Sequence, residues 1–229
     1  MLYTIGDLHL SFGSNKPMDI FAGWSNHIER LKANWNAKVS ENDTVVLLGD
    51  HSWALKLEDT KNDLEFIHKE LNGKKIFVKG NHDLWWQTMN KNKLFVEENG
   101  FDSISFLFNN AFLVEGISIC GTRGWISENG EPADQKVLAR EAGRLEASLQ
   151  AGVKLGGELV AFIHYPPVYR SETNAPIIEV LKKYGVKRCY YAHLHGGSIR
   201  GAINGERGGI EYRLVSADAV SFDPVKVSE

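Results

Sequence analysis

Cysteine is scarce: 229 residues contain two, Cys120 and Cys189, each inside an apolar run. That excludes a disulfide-stapled framework and makes both thiols reduced core residues of a reducing compartment. Proline is also rare, at six, and no internal repeat, low-complexity tract or long linker breaks the chain. A collagen-like or repeat architecture is excluded, and residues 1–229 are expected to form a single domain. No run of about 18 apolar residues occurs, so no membrane span is expected. The opening MLYTIGDLHL shows no targeting pattern, and a cytoplasmic protein is the expectation. An excess of one charge is missing too: 26 Lys+Arg face 29 Asp+Glu, a net -3, which removes the broad basic surface that sequence-independent nucleic-acid binding needs. Composition is otherwise globular, 43% hydrophobic and 24% charged.

Short β-rich runs alternate with amphipathic ones, which predicts an α/β protein. Strands are expected at 2–5, 44–48 and 75–78, with helices over 20–35 and 60–71 between them. In the second half, 103–108, 111–114 and 117–120 read as antiparallel hairpins, with turns at Asn109-Asn110 and Glu115-Gly116. A turn over Glu128–Glu131, with Pro132 near the first helical position, leads into a helix over 133–149. Strands at 159–163, 188–191 and 211–215 complete the pattern.

Histidine is plentiful, and its placement is informative. Of eight histidines, five lie just beyond predicted strand ends: His9, His82, His164, His193 and His195. They are joined there by Asp7, Asp50, Asn81 and Asp83. His51 follows Asp50, while His27 and His68 fall inside predicted helices as bystanders. Ligands of open α/β sheets bind at the carboxyl ends of strands. Imidazole and carboxylate without cysteine suit Mn, Fe, Zn or Co rather than calcium or a thiolate zinc knot. The set exceeds one ion's needs, and a pair of ions sharing a carboxylate suits displacement at phosphorus.

The blocks GDLHL, LLGDH, GNHD, FIHYPP and AHLHG, in that order over residues 5–196, resemble the calcineurin-like metallophosphoesterases. The resemblance implies a four-layer α/β/β/α sandwich, two mixed sheets flanked by helices. It implies two divalent metal ions, one held by Asp7, His9, Asp50 and His195 and the other by Asp50, Asn81, His164 and His193. Asp50 is then the bridge, and a hydroxide activated by both ions attacks phosphorus. His82 serves the departing oxygen, and Asp83 orients the His82 ring. Two divalent ions would turn the formal charge to +1.

The chain departs from the family pattern in places. Gly49-Asp50 is followed by His51-Ser52-Trp53, not the Asp-Arg-Gly of the protein Ser/Thr phosphatase branch, and Ala192 stands where glycine is common. Protein phosphatase activity is therefore disfavoured. The expected substrate is a phosphodiester or small phosphorylated metabolite, with phosphomonoesters as the alternative within enzymes. A catalytically silent metal-binding scaffold is the alternative outside them, disfavoured because every expected group is present. Arg123, His51 and Tyr165 are candidate substrate contacts. Trp85, Trp86, Trp125 and Arg170 either shape the pocket or pack the core.

Overall fold

The computed structural model describes residues 1–125 and 135–227. The predicted turn over 128–131, Pro132 and the start of the 133–149 helix lie outside the described residues. The first half runs β1 (Leu2–Ile5), α1 (His27–Lys38), β2 (Thr44–Leu48), α2 (Lys61–Lys69), β3 (Lys74–Val78), α3 (Met89–Glu98) and β4 (Ile104–Phe106). Then follow β5 (Phe112–Val114), β6 (Ile117–Thr122), α4 (Gln135–Leu155), β7 (Glu158–Ile163), β8 (Val168–Tyr169) and β9 (Glu172–Thr173). Last come α5 (Ala175–Lys183), β10 (Arg188–Tyr191), β11 (Gly205–Arg207), β12 (Ile210–Leu214) and β13 (Val225–Lys226).

Two mixed sheets result. One has the order β13-β1-β2-β3-β4, parallel except at β13, and the other the order β11-β12-β10-β7-β6-β5, parallel from β12 to β6. Side-chain alternation along the central strands sets the layering. Val46, Leu48, Ile76 and Val78 of the first sheet share a core with Ile119, Val160, Phe162 and Tyr190 of the second. On the opposite face Val45, Leu47 and Phe77 pack with Leu31 and Trp35 of α1 and Leu64 and Ile67 of α2. Ala161, Ile163 and Tyr191 pack with Leu145 and Leu149 of α4 and Ile177 and Leu181 of α5. Strands apolar on both faces demand cover on both, and the four layers follow.

Three expectations change. Residues 104–106 pair in parallel with β3, not with β5, because the chain leaves the first sheet at Asn109-Asn110; there the Asn110 side chain accepts from the Phe108 N–H and donates to the Phe106 carbonyl. Helix α1 starts at His27, and Ile20 stands 73% exposed before it. Helix α4 runs on to Leu155, past Gly152, where a Cβ would come within 2.4 Å of Cys120 Sγ, so the glycine serves close helix–strand packing.

Candidate metal centre

Every predicted ligand lies at the carboxyl ends of strands, where the two sheets meet. Pairing continues past β1 and β2 through Asp7 N–H to Gly49 O and His9 N–H to Asp50 O, each at 2.9 Å. The sheets are joined by His193 N–H donating to Asp7 Oδ2 at 2.9 Å and Gly6 N–H to Val215 O at 2.8 Å. Ala192 is fully buried against Gly6, so its methyl group is accommodated without displacing His193. The glycines of the motifs allow the loops to touch: a Cβ on Gly80 would lie 2.0 Å from Asp50 Oδ1, and one on Gly49 2.6 Å from His164 Nδ1. Asp7, His9, Asp50 and His193 have positive φ, from 47° to 74°. Left-handed backbone costs a non-glycine residue about 1–2 kcal/mol, so strain is concentrated at four candidate ligands.

Two groups of ligand atoms converge: Asp7, His9 and His195, and beside them Asp50, His164 and His193. Asp50 Oδ2 lies 3.8 Å from His9 Nε2 in one group and 3.6 Å from His164 Nε2 in the other. Asn81 Oδ1 joins the second group, 2.6 Å from His164 Nε2 and 2.9 Å from His193 Nδ1. Asp7, His9, Asp50 and His164 form a buried floor, and Asn81, His82, His193 and His195 a half-exposed rim.

The donor set fits divalent cations. Asp7 Oδ1 is buried with no hydrogen-bond partner among the described residues. His164 Nδ1 lies 2.7 Å from the Leu48 carbonyl, an acceptor only, so that nitrogen carries the proton and Nε2 presents a lone pair toward the Asn81 oxygen. His195 Nδ1 is likewise held, 2.8 Å from Asp218 Oδ1, leaving its Nε2 directed at His9 Nε2 3.3 Å away. The His164 lone pair faces the Asn81 oxygen, a condition that a shared cation relieves.

Electrostatics point the same way. Burial alone would raise the pKa of Asp7, but the His195, His164 and His9 imidazoles outweigh it and keep the carboxylate ionised. Burial, then the charges of Asp7 and Asp83, push Asp50 well up. Burial opposes charge on His195, yet Asp7 and Asp218 raise it to about 10. Burial, reinforced by His195, His82 and His164, pushes His9 down to about 3 against the pull of Asp7. A cation would displace protons from this frustrated cluster.

The other predicted residues divide. His82 stands on the rim, its ring centroid 5.7 Å from His9 and 4.5 Å from Trp53, its side chain without a hydrogen bond among the described residues and its backbone N–H donating to Asp50 Oδ1 at 2.8 Å. Asp83 does not orient it. The Asp83 carboxylate is fully buried and accepts from the N–H groups of Asp50, His51 and Gly80, from His51 Nδ1 and from Trp85 Nε1. The loops need their orphan amides satisfied, and Asp83 is the nearest acceptor. His51 is fully buried and stacked on Phe77 at 4.0 Å, out of a substrate's reach.

Tyr165 is 5% exposed and lies 4.2 Å from the His193 ring, supporting that imidazole rather than opening to a ligand. Arg123 makes no contact with the ligand set; it lies 3.8 Å from Glu141 and 5.5 Å from the Trp125 ring. Trp85 and Trp86 belong to the helix-side core, and Arg170 stacks on Tyr169. His68 bonds Ser103, and His27 packs between Trp24 and Phe222. Sequence reasoning missed Asp218, which holds His195 Nδ1 and the Gly196 N–H, and it missed Trp24 and Trp53, which pack on His195 and His9. Asp218 had a signal: another aspartate a few residues beyond a strand end.

A four-layer sandwich with two adjoining imidazole–carboxylate clusters where its sheets meet defines an α/β protein with a candidate metal centre. Residues 2–197 match the family described as calcineurin-like phosphoesterase, and the chain belongs to that family. No curated protein matches. Two solved structures share the fold. A protein of unknown function from Aquifex aeolicus is 17% identical with a TM-score of 0.53, covering 98% of this chain and 94% of its own. A Thermus thermophilus protein is 13% identical with a TM-score of 0.59, covering 95% and 89%. Among the described residues no helix is long and apolar enough to cross a membrane.

Proposed function

We propose that this protein hydrolyses phosphate esters with two divalent ions, one held by Asp7, His9 and His195, the other by Asn81, His164 and His193, and both by Asp50. The observation that carries the reading is the place of Asp50 Oδ2, within 4 Å of an imidazole nitrogen from each cluster. The ions, when bound, supply Lewis acidity toward phosphoryl oxygens and lower the pKa of water. The chain's residues do the rest. The Leu48 carbonyl and Asp218 fix the tautomers of His164 and His195, so that Nε2 of each faces inward. His193 N–H holds Asp7, and His82 N–H holds Asp50, in place. Burial first, then His164 and His193, push the pKa of His82 down. Its ring therefore serves as a neutral N–H donor to a phosphoryl or departing oxygen, from the half-exposed rim where an ester can reach it.

The substrate in this reading is a phosphodiester or a small phosphorylated metabolite, since His51-Ser52-Trp53 follows Gly49-Asp50 in place of the Asp-Arg-Gly of the protein Ser/Thr phosphatase branch. The test is a panel of phosphomonoesters, phosphodiesters, cyclic nucleotides and pyrophosphates, assayed with metal-reconstituted protein and with His82→Ala. Turnover is expected on at least one class, with kcat reduced about 10²–10⁴-fold in His82→Ala while metal content holds. Equal, background-level rates for both proteins with metal retained would sink the enzyme reading and favour the scaffold.

A further inference from the structure

Beside the metal clusters lies a cationic cleft that the chemistry above does not use. It opens between the ends of β3, β4 and β6 and helix α4, and Lys79, Arg123 and Arg144 line it. Its position is tied to the ligands. Lys79 is two residues before Asn81, and the Thr122 and Arg123 carbonyls accept from the N–H groups of His164 and Tyr165 at 3.3 and 2.9 Å. One strand spacing, about 4.8 Å, therefore separates Arg123 from the backbone that carries His164.

Among the described residues the charges in this cleft are not balanced. Glu141 is the one carboxylate of these residues in contact with it, fully buried, and Arg144 Nη1 satisfies it at 2.6 Å, together with Thr122 Oγ1 at 2.8 Å. Arg140 Nε reaches Glu141 from outside the cleft at 3.6 Å and Arg123 only at 3.8 Å, and the Arg123 Nε is buried without an acceptor among the described residues. Lys79 is half-buried and has no partner among the described residues. A single salt bridge would suffice to fix β6 to α4, yet two further positive charges are gathered here. The Arg144 guanidinium packs 5.1 Å from the Phe108 ring, and that of Arg123 5.5 Å from Trp125. Stacked guanidinium groups keep their N–H edges free for an oxyanion. The enclosed space is about 10 Å³, enough for one water, so an anion would rest at the mouth, between the cation heads.

We propose that Lys79, Arg123 and Arg144 bind a second phosphoryl group of the substrate, so that the preferred substrates are phosphate esters bearing another phosphate a few bonds from the reacting one. This rests on the phosphoesterase reading for the place of the reacting phosphate. The experiment is calorimetric titration of metal-loaded protein with methylphosphonate and with alkylene bisphosphonates of increasing spacer length, none of which can be hydrolysed. Wild type is expected to bind the bisphosphonate of matching spacer about ten- to hundredfold more tightly than methylphosphonate. Lys79→Gln and Arg144→Gln should each lose most of that advantage, and Arg140→Gln, 53% exposed and outside the cleft though 3.6 Å from Glu141, should keep it. If Arg144→Gln fails to fold because Glu141 loses its closest cation, Lys79→Gln still decides, having no partner to lose among the described residues. Equal affinity across the series in wild type, an advantage retained in Lys79→Gln, or an equal loss in Arg140→Gln would overturn the proposal. Absence of turnover on every ester would instead overturn the phosphoesterase reading, which this titration does not measure.

Discussion

Asp83→Asn separates a clasp between loops from a partner of the catalytic ring. In the folded protein Oδ2 of Asp83 accepts from Asp50 N–H at 3.0 Å, Gly80 N–H at 2.7 Å and His51 Nδ1–H at 2.9 Å. Oδ1 accepts from His51 N–H at 2.9 Å and Trp85 Nε1–H at 3.0 Å. Asparagine offers one acceptor oxygen. Placed at Oδ2 it keeps three bonds, but its amide then faces the other two donors in a fully buried site. Each unsatisfied donor costs about 1–3 kcal/mol, so the loss is roughly 2–6 kcal/mol, out of a typical domain stability of about 5–15 kcal/mol. In urea that is a midpoint lower by roughly 1–3 M. The assay is equilibrium unfolding of metal-free protein followed by tryptophan fluorescence, with His82→Ala beside it. His82→Ala, which removes a half-buried ring without hydrogen bonds, is expected to cost about 1 kcal/mol or less. An Asp83→Asn midpoint within error of wild type, accompanied by a catalytic loss equal to that of His82→Ala, would refute the reasoning and return Asp83 to the role of orienting His82.

Two further outcomes follow from groups at and away from the centre. Asp218→Asn removes the carboxylate that fixes His195 Nδ1 and is expected to weaken metal affinity about 10–100-fold, read by competition with a chelator; unchanged affinity would contradict the role. Lys75 is 1% exposed and donates to the Leu71 carbonyl; burial pushes its pKa down from the ordinary 10.5 to about 8. Between those values the unfolded chain binds more protons than the folded one, so stability rises with pH over that interval, by up to about 3 kcal/mol. Urea midpoints at about pH 7.5 and 10 should show this rise in wild type and its absence in Lys75→Met, and parallel profiles would count against it.

The convergence of the seven residues expected as ligands was legible because each closes a strand of marked apolar character and belongs to a short block. Topology then brings all those strand ends to one junction. Chemistry carried by long-range packing was not legible. Trp53 reaches His9 and His82 only because the loops after β1 and β2 lie side by side, which no local pattern encodes. The ring-to-carboxylate pairing expected within Asn81-His82-Asp83 failed because buried amides of two loops compete for the same carboxylate and win. Helix α3 went unread because Met89–Glu98 lacks a strong apolar stripe, although Thr88 caps it through Lys91 N–H. Helix α5 also went unread, although Asn174 caps Ile177 N–H and a proline stands just inside the first turn. The four layers emerge from strands such as Thr44–Leu48, buried on both faces, whose alternate residues enter two different cores.

The central claim is that Asp50 joins two metal sites, and metal content measures it directly. Elemental analysis of protein reconstituted with Mn²⁺, Fe²⁺, Zn²⁺ or Co²⁺ and desalted should find two ions per wild-type chain, and neither should survive in Asp50→Asn, because one carboxylate serves both clusters. Two ions retained by a folded Asp50→Asn protein, or a wild-type chain that holds one ion or none under saturating metal, would contradict the account.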